Sequence, residues 1–271
     1  MILPSPRRLR IIRAPKNARL HKTLDRLYNK FSGSETSVRD FIEHDPVQFP
    51  LRYAKQRSKN QADIEIAAFL AATIAWGRRD LIIRSAQRMF AMMETEGPQA
   101  YVLKNATRQK QVNPPRGSCL HRTFFERDLQ YFCNGFRHCY AKYGTLEKLF
   151  ASQQDVWQGI SLFREEMAAG NNGLYTAHIA NPDANSACKR INMALRWLVR
   201  KGPVDMGLWK SLKPSSLYIP LDVHVARNAR AIGLLERKSN DKKAVIEITE
   251  KLRQFCPEDP VKYDFVLFSI G

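Results

Sequence analysis

Between Ile64 and Trp76 the chain carries Ala67, Ala68, Phe69, Leu70, Ala71 and Ala72 in one unbroken apolar run. Read as a helix, this stretch has no polar face to offer water, so other elements must enclose it on every side. Asp63 stands where a cap is expected, and Gly77 followed by Arg78 and Arg79 breaks the run. A chain with such a segment needs several further elements to wrap it.

The rest of the sequence supplies helices for that purpose. Ser37-Val-Arg-Asp40 has the spacing of a capping box and predicts a short helix ending at Asp45-Pro46. Residues 48–58, interrupted by Pro50, are expected to be loop. Asp80 is read as the cap of a helix carrying Ile82, Ala86, Met89 and Met93 at helical spacing, ended by Gly97-Pro98. The polar, basic residues 103–118, with Pro114, Pro115 and Gly117, read as a surface loop. From Glu126, the positions Leu129, Phe132, Cys133, Phe136 and Tyr140 predict an amphipathic helix, and Phe124, Phe125, Phe132 and Phe136 are expected in the core. Thr145 and Asp155 are caps for two more helices, and residues 170–173 form a turn. Asn240 or Asp241 starts a helix with Val245, Ile248, Leu252 and Phe255 on one face, ended by Pro257. Asp259-Pro260 opens another, and Val261 to Ile270 is apolar enough to be core. The chain ends there without a polar tail, which points to a further terminal segment. No strand-like alternation, repeat or low-complexity linker occurs. The expectation is an all-α chain of roughly ten helices.

Charge narrows the function. Lys and Arg number 44 against 26 Asp and Glu, a net charge of +18. Such a surface attracts a polyanion, with nucleic acid first and an anionic membrane second. No apolar run approaches the roughly 20 residues needed to span a bilayer. Met1 to Leu20 holds Arg7, Arg8, Arg10, Arg13, Lys16 and Arg19 without an acid or the apolar centre of a secretory signal. Residues 1–35 are read as a basic N-terminal arm, flexible at its start, that either touches phosphates or is a disordered leader. Residues 36–271 are read as one helical domain. Five cysteines without a CxxC pair fit a reduced, cytoplasmic chain, and no zinc or iron–sulfur motif is visible. No metal or cofactor is expected.

Two segments carry candidate chemistry. Asn185-Ser186 precedes an apolar-periodic run of Ile191, Leu195 and Leu198, so Ser186 is expected as an N-cap, with Lys189 at the third helical position and Arg190 beside it. Cations in a first turn oppose the helix dipole by roughly 0.3–1 kcal/mol each. The pair is either tolerated or used. A helix N-terminus together with Arg190 binds phosphate, and a lysine amine kept neutral by dipole and burial is a nucleophile. The bland alternative is a solvated surface lysine. The second segment is Ile219-Pro-Leu-Asp-Val-His-Val225, followed by a helix reaching Gly233. Asp222 is an N-cap, or a carboxylate at a cleft mouth that stabilises a developing cationic sugar. His224 and Arg227 stand close enough to meet a DNA backbone.

These residues resemble a family. Ile-Pro-Leu-Asp-Val-His-Val-Ala-Arg is similar to the Asp-x-His-Val segment of the helix-hairpin-helix DNA glycosylase superfamily, and Cys188-Lys189-Arg190 matches the position of its Schiff-base lysine. The spacing between Lys189 and Asp222, with a basic insert, is more similar to archaeal-type 8-oxoguanine DNA glycosylases. The whole chain also resembles a bacterial family of uncharacterised proteins related to these enzymes, through Asp45-Pro46, Asp63-Ile-Glu-Ile-Ala-Ala-Phe-Leu-Ala, Cys188-Lys-Arg-Ile-Asn-Met and Asp259-Pro-Val-Lys-Tyr-Asp-Phe. The resemblance implies a helix-hairpin-helix glycosylase fold with two helical lobes and a groove between them, and a hairpin with catalytic segment near residues 174–235. It implies Lys189 and Asp222 as catalytic residues. Superfamily hairpins carry a Gly-x-Gly turn; Ala180 to Ser186 contains no glycine.

The reading is a monomeric protein that binds double-stranded DNA and no membrane, a nucleoid-associated base-excision glycosylase. AP lyase activity runs through Lys189, and oxidised purines lead as substrate by resemblance alone. Ser186, Arg190, His224, Arg227, Arg78 and Arg79 are candidate nucleic-acid contacts. Trp76 and Trp197 are candidates for a base pocket or for the core. Two alternatives stand beside it: a non-catalytic DNA- or RNA-binding protein on the same fold, and a module whose basic surface meets an acidic protein partner.

Overall fold

The computed structural model describes residues 7–56, 60–106 and 115–269. Its first helix, α1 (Arg7–Ser32), replaces much of the expected flexible arm; residues 1–6 lie outside the described residues. Leu24 is buried, and Leu20, Leu27, Tyr28 and Phe31 pack against the core. These positions recur at helical spacing among charged residues, and the charges mask the stripe when the sequence is read alone. Asp25 fixes α1 to the end of the chain: it accepts a hydrogen bond from Tyr263 Oη at 2.7 Å and pairs with Lys262 at 3.0 Å.

Helix α2 (Glu35–Glu43) starts three residues earlier than expected, because Ser34 and not Ser37 is the cap and accepts from Ser37 N at 3.2 Å. Helix α3 (Gln48–Ala54) occupies the expected loop. Pro50 falls in its first turn, where its missing N–H has no intrahelical partner to lose, and Phe49 and Tyr53 are buried.

Helix α4 (Gln61–Thr73) is the enclosed element, with every residue from Ile64 to Thr73 buried. Its cap is Asn60, whose side chain accepts from Ala62 N at 3.0 Å. Asp63 instead accepts from Gln99 N at 2.7 Å, at the start of a later helix. Helix α5 (Arg79–Ala91) and helix α6 (Pro98–Asn105) meet at Gly97, whose φ of 83° favours glycine. Asp80 lies inside α5 and pairs with Arg78 and Arg84. Part of the expected basic loop, residues 107–114, lies outside the described residues. A small antiparallel pair follows, β1 (Cys119–His121) and β2 (Phe124–Phe125), too short for an alternating pattern to announce.

Helices α7 (Glu126–Tyr143), α8 (Leu146–Ala151) and α9 (Val156–Ala169) match expectation, with Thr145 and Asp155 as side-chain caps of the last two. After an irregular stretch come α10 (Lys189–Val199), α11 (Val223–Ala231), α12 (Lys242–Arg253) capped by Asp241, and α13 (Asp264–Ser269). Pro260 opens a 3₁₀ turn rather than an α-helix; Ile270, expected in the core, lies outside the described residues. The chain is predominantly helical, and its buried apolar side chains form one continuous cluster. Among the described residues no helix is long and apolar enough to cross a membrane.

Inside α4 sits one wholly buried acid, Glu65. Its carboxylate accepts from Trp209 Nε1 and Tyr140 Oη at 2.8 Å, from Gln61 Nε2 and Leu146 N at 3.0 Å, and from Glu147 N at 3.2 Å. Burial pushes the carboxyl pKa up against the pull of these donors. Glu65 thereby ties α4 to α7, to the start of α8 and to the linker leading into α11. Glu65→Ala strands buried donors that have no water to turn to, each costing about 1–3 kcal/mol. Urea denaturation is expected to show a loss of at least about 3 kcal/mol.

Candidate active site

The chain enters α10 through a tight left-handed turn. Asn185 and Cys188 hold φ of 61° and 48°, and Cys188 is the N-cap with no side-chain capping bond. Ser186 is not the cap; its Oγ accepts from Cys188 N at 3.4 Å, so the helix begins two residues later than a Ser186 cap predicts. Lys189 is therefore the first helical residue. The turn is fastened to the start of α12: Asn185 Nδ2 donates to Asp241 at 3.0 Å, and Lys242 N donates to Asn185 O at 3.0 Å. Asp241 also caps α12 and pairs with Arg237, contacts that hold its carboxyl far below the usual range.

Asp222 is the cap the sequence predicted. Its Oδ1 accepts from His224 N and Val225 N, both at 2.9 Å. Its Oδ2 faces Lys189 Nζ at 3.9 Å, and the two side chains are 20% and 28% exposed. They line a cavity of about 1030 Å³, which His224 and Val223 border as exposed residues.

Two cations at the start of α10 are offset by α4. Lys189 Nζ donates to Ala75 O at 3.3 Å, and Arg190 Nη1 donates to Thr73 O at 2.8 Å. Thr73 is the last residue of α4, and Ala75 lies two residues beyond it, both near the negative end of the helix dipole. Arg190 also lies 5.2 Å from the Trp76 ring centroid, and its burial lowers its pKa. Arg190 lines the cavity, with its guanidinium engaged by the Thr73 carbonyl and the Trp76 ring.

Deeper in the cavity wall, α10 presents Arg196 two turns below Lys189. Arg196 binds Asp205 at 3.2 Å and the buried Asp264. Asp264 lines the same cavity with Asp45, and Phe41, Phe265 and Phe268 supply apolar wall. Burial pushes the Asp264 carboxyl up to about 6, against the pull of Arg196, with Asp222 adding repulsion. Burial also raises the Asp45 carboxyl, whose oxygen accepts from Val47 N at 3.0 Å.

Trp76, Arg79, Ser186 and His224 line the cavity with the catalytic candidates. Arg79 stacks 4.9 Å above Phe268. Trp76 is already engaged, stacked on His178 at 5.8 Å and edge-on to His121 at 4.7 Å. His121 is held by Ser85 Oγ and Trp76 O, and burial lowers its pKa. Of its two expected places, Trp197 takes the core: it is 0% exposed and does not line the cavity. Arg78 is directed to solvent, paired with Asp80, outside the lining. Arg227 is exposed on α11, also outside it. Asp45, His178, Arg196 and Asp264 were missed. Asp45 and Asp264 lie in two of the quoted family segments, but only packing assigns them to this cavity.

These features define an all-α protein with an amine and a carboxylate at one end of a deep, aromatic-walled cavity. The chain belongs to the family described as Protein of unknown function (DUF2400), whose model matches residues 45–271. No curated protein and no solved structure matches the chain.

Two outcomes test the site's physics. As an N-cap, Asn equals Asp while Ala does not. Asp222→Asn is expected to keep stability within a few tenths of a kcal/mol, and Asp222→Ala to lose about 1 kcal/mol in thermal unfolding. Asp264 keeps its proton in the folded chain up to about 6, while its reference value is 3.8. Between those values the folded state binds more protons than the unfolded one, so stability falls as pH rises through the window. Asp264→Asn is expected to flatten that part of a stability–pH curve.

Proposed function

We propose that this protein is a DNA base-excision glycosylase of the helix-hairpin-helix type, two helical lobes flanking the cavity, with AP lyase activity through Lys189. The observation that carries the reading is the 3.9 Å approach of Lys189 Nζ to Asp222 Oδ2 on the wall of a cavity large enough for a nucleobase. The two residues are far apart in sequence, and their meeting is what the chemistry requires. The net charge of +18 supports a polyanionic partner, double-stranded DNA.

The reaction begins with phosphate-dominated binding and extrusion of a damaged base, at a cost of a few kcal/mol that is least for weakened pairs. As the C1′–N bond breaks, its electron pair leaves with the base, which takes up a proton. Asp222 Oδ2 supports the positive charge growing on the sugar. With its ammonium proton passed to the departing base, the Lys189 amine forms the Nζ–C1′ bond. Loss of a proton from Nζ and opening of the sugar ring give the Schiff base. Removal of a C2′ proton then expels the 3′ phosphate and cuts the strand. Oxidised purines remain the leading substrate by resemblance.

A second reading, a non-catalytic DNA- or RNA-binding protein, is favoured by one observation: Asp222 and Lys189 already have structural partners, the cap amides and Ala75 O. Borohydride trapping separates the two. Wild-type protein is expected to be captured covalently on a duplex containing 8-oxoguanine, and Lys189→Ala to abolish capture. An absence of capture across a panel of damaged bases overturns the lyase reading.

A further inference from the structure

The turn entering α10 has no glycine to let phosphate approach its backbone, and the Arg190 guanidinium is already engaged by Thr73 O and the Trp76 ring. A protein that holds DNA here needs another grip near Lys189. The segment from Arg237 to Lys243, a loop running into the first turn of α12, stands in the right place. Ser186 pairs with Asp241 through an isolated backbone bridge, and Asn240 and Ser186 both line the cavity. The loop is built rather than loose: Arg230 of α11 donates to Arg237 O at 2.9 Å, to Lys238 O at 2.8 Å and to Asn240 Oδ1 at 2.6 Å.

Charge in this region is sorted. The acids are occupied: Asp241 by Arg237, and Glu236 and Glu247 by Lys251. Lys242 lies over the Trp157 ring at 4.8 Å. Lys238 and Lys243 are exposed, as is Arg227, one helical turn before Arg230 on α11. Among the described residues, none of these three is within ion-pair distance of a carboxylate. The result is a rigid, uncompensated basic ledge beside the cavity.

We propose that the segment 237–243, the loop before α12 with the first turn of that helix, is the backbone grip for duplex DNA, with Lys238 and Lys243 as its phosphate-contacting groups and Arg227 on α11 as a further one. The ledge takes the place of the missing hairpin glycines: side-chain cations on a fastened loop stand in for backbone amides. Nucleic acid is favoured over an acidic protein or a membrane because the ledge shares its border with the cavity. The proposal rests on the DNA reading of that cavity, but not on its chemistry.

The test is the salt dependence of binding of the full chain to undamaged, fluorescently labelled duplex DNA. Each cation that neutralises a phosphate adds about 0.9 to the slope of log K against log salt. Lys238→Glu with Lys243→Glu is expected to weaken binding at least about tenfold and to lower the slope's magnitude by about 2. The control is Lys104→Glu with Lys148→Glu, an equal charge change on α6 and α8, neither of which lines the cavity. It is expected to leave the slope unchanged. Equal weakening by both pairs overturns the proposal in favour of general charge attraction. So does a wild-type slope that the loop pair leaves untouched. Wild-type binding to phosphatidylserine vesicles or polyglutamate but not to duplex overturns it in favour of those partners. Loss of binding in the loop pair, with no borohydride capture by wild type, sinks the lyase reading and leaves the ledge standing. Capture with an unchanged slope does the reverse.

Discussion

A column of cations on one helix organises this molecule. Lys189, Arg196 and Arg200 stand along α10 and just beyond its end, and the chain brings an acid to each from a different place. Asp222 comes from the cap of α11, Asp205 from the linker, Asp259 from the turn before α13, and Asp264 from α13 itself. Asp205 is shared, binding Arg196 at 3.2 Å and Arg200 at 2.8 Å. Arg200 also reaches Tyr28 on α1. Removing such groups from water costs several kcal/mol per ion, and their attraction offsets this only when hydrogen bonds are nearly complete. The network is thus weak as a source of stability and strong as a constraint. Any packing that separates one of these segments leaves a buried charge alone. That condition fixes where α1, the linker and α13 can lie, and with them the walls of the cavity.

The column changes character along its length. Arg196 and Arg200 are almost wholly buried, paired more than once, and stacked near Phe265 at 4.4 Å and 5.7 Å. Lys189 has one carbonyl, one carboxylate at 3.9 Å, and partial exposure. A compact ammonium on a flexible stem suits this looser end, whereas the planar guanidinium suits the fixed one. The left-handed Cys188 just before it is a non-glycine residue in a sparsely populated conformation, its N–H donated to Ser186 Oγ, in a turn that Asn185 fastens to Asp241. Local strain of this kind persists only where the surroundings over-determine it. Its consequence is to start α10 at Lys189 and direct that side chain along the cavity wall.

Local signals made much of the architecture legible. Thr145, Asp155, Asp222 and Asp241 each act as the cap their spacing announced, since a cap is decided within four residues. The apolar run in α4 announced its own enclosure. The misread caps share one cause. Ser37, Asp63 and Ser186 are good cap residues that stand near a helix start whose position tertiary contacts decide. Asp63 is drawn to Gln99 N, and Ser186 yields to the turn fastened on Asp241. The site was half legible for the same reason. Lys189 and Asp222 stood out at helix starts, while Arg196, Asp264 and Asp45 gain meaning only from segments that no local pattern connects.

The capping and chemical readings of Asp222 compete in sequence, where a residue has one role or the other. In three dimensions they need not compete, because the two oxygens face different partners. Oδ1 is committed to the amides of His224 and Val225, so the carboxylate cannot rotate without uncapping α11. Oδ2 is thereby aimed at Lys189, and it is the oxygen left to face a ligand. A carboxylate aimed in this way loses little entropy when charge develops beside it, the property that preorganised electrostatic stabilisation depends on. The cap therefore does not argue against chemistry at Asp222. It is the means by which a short side chain at the end of a helix acquires one fixed direction.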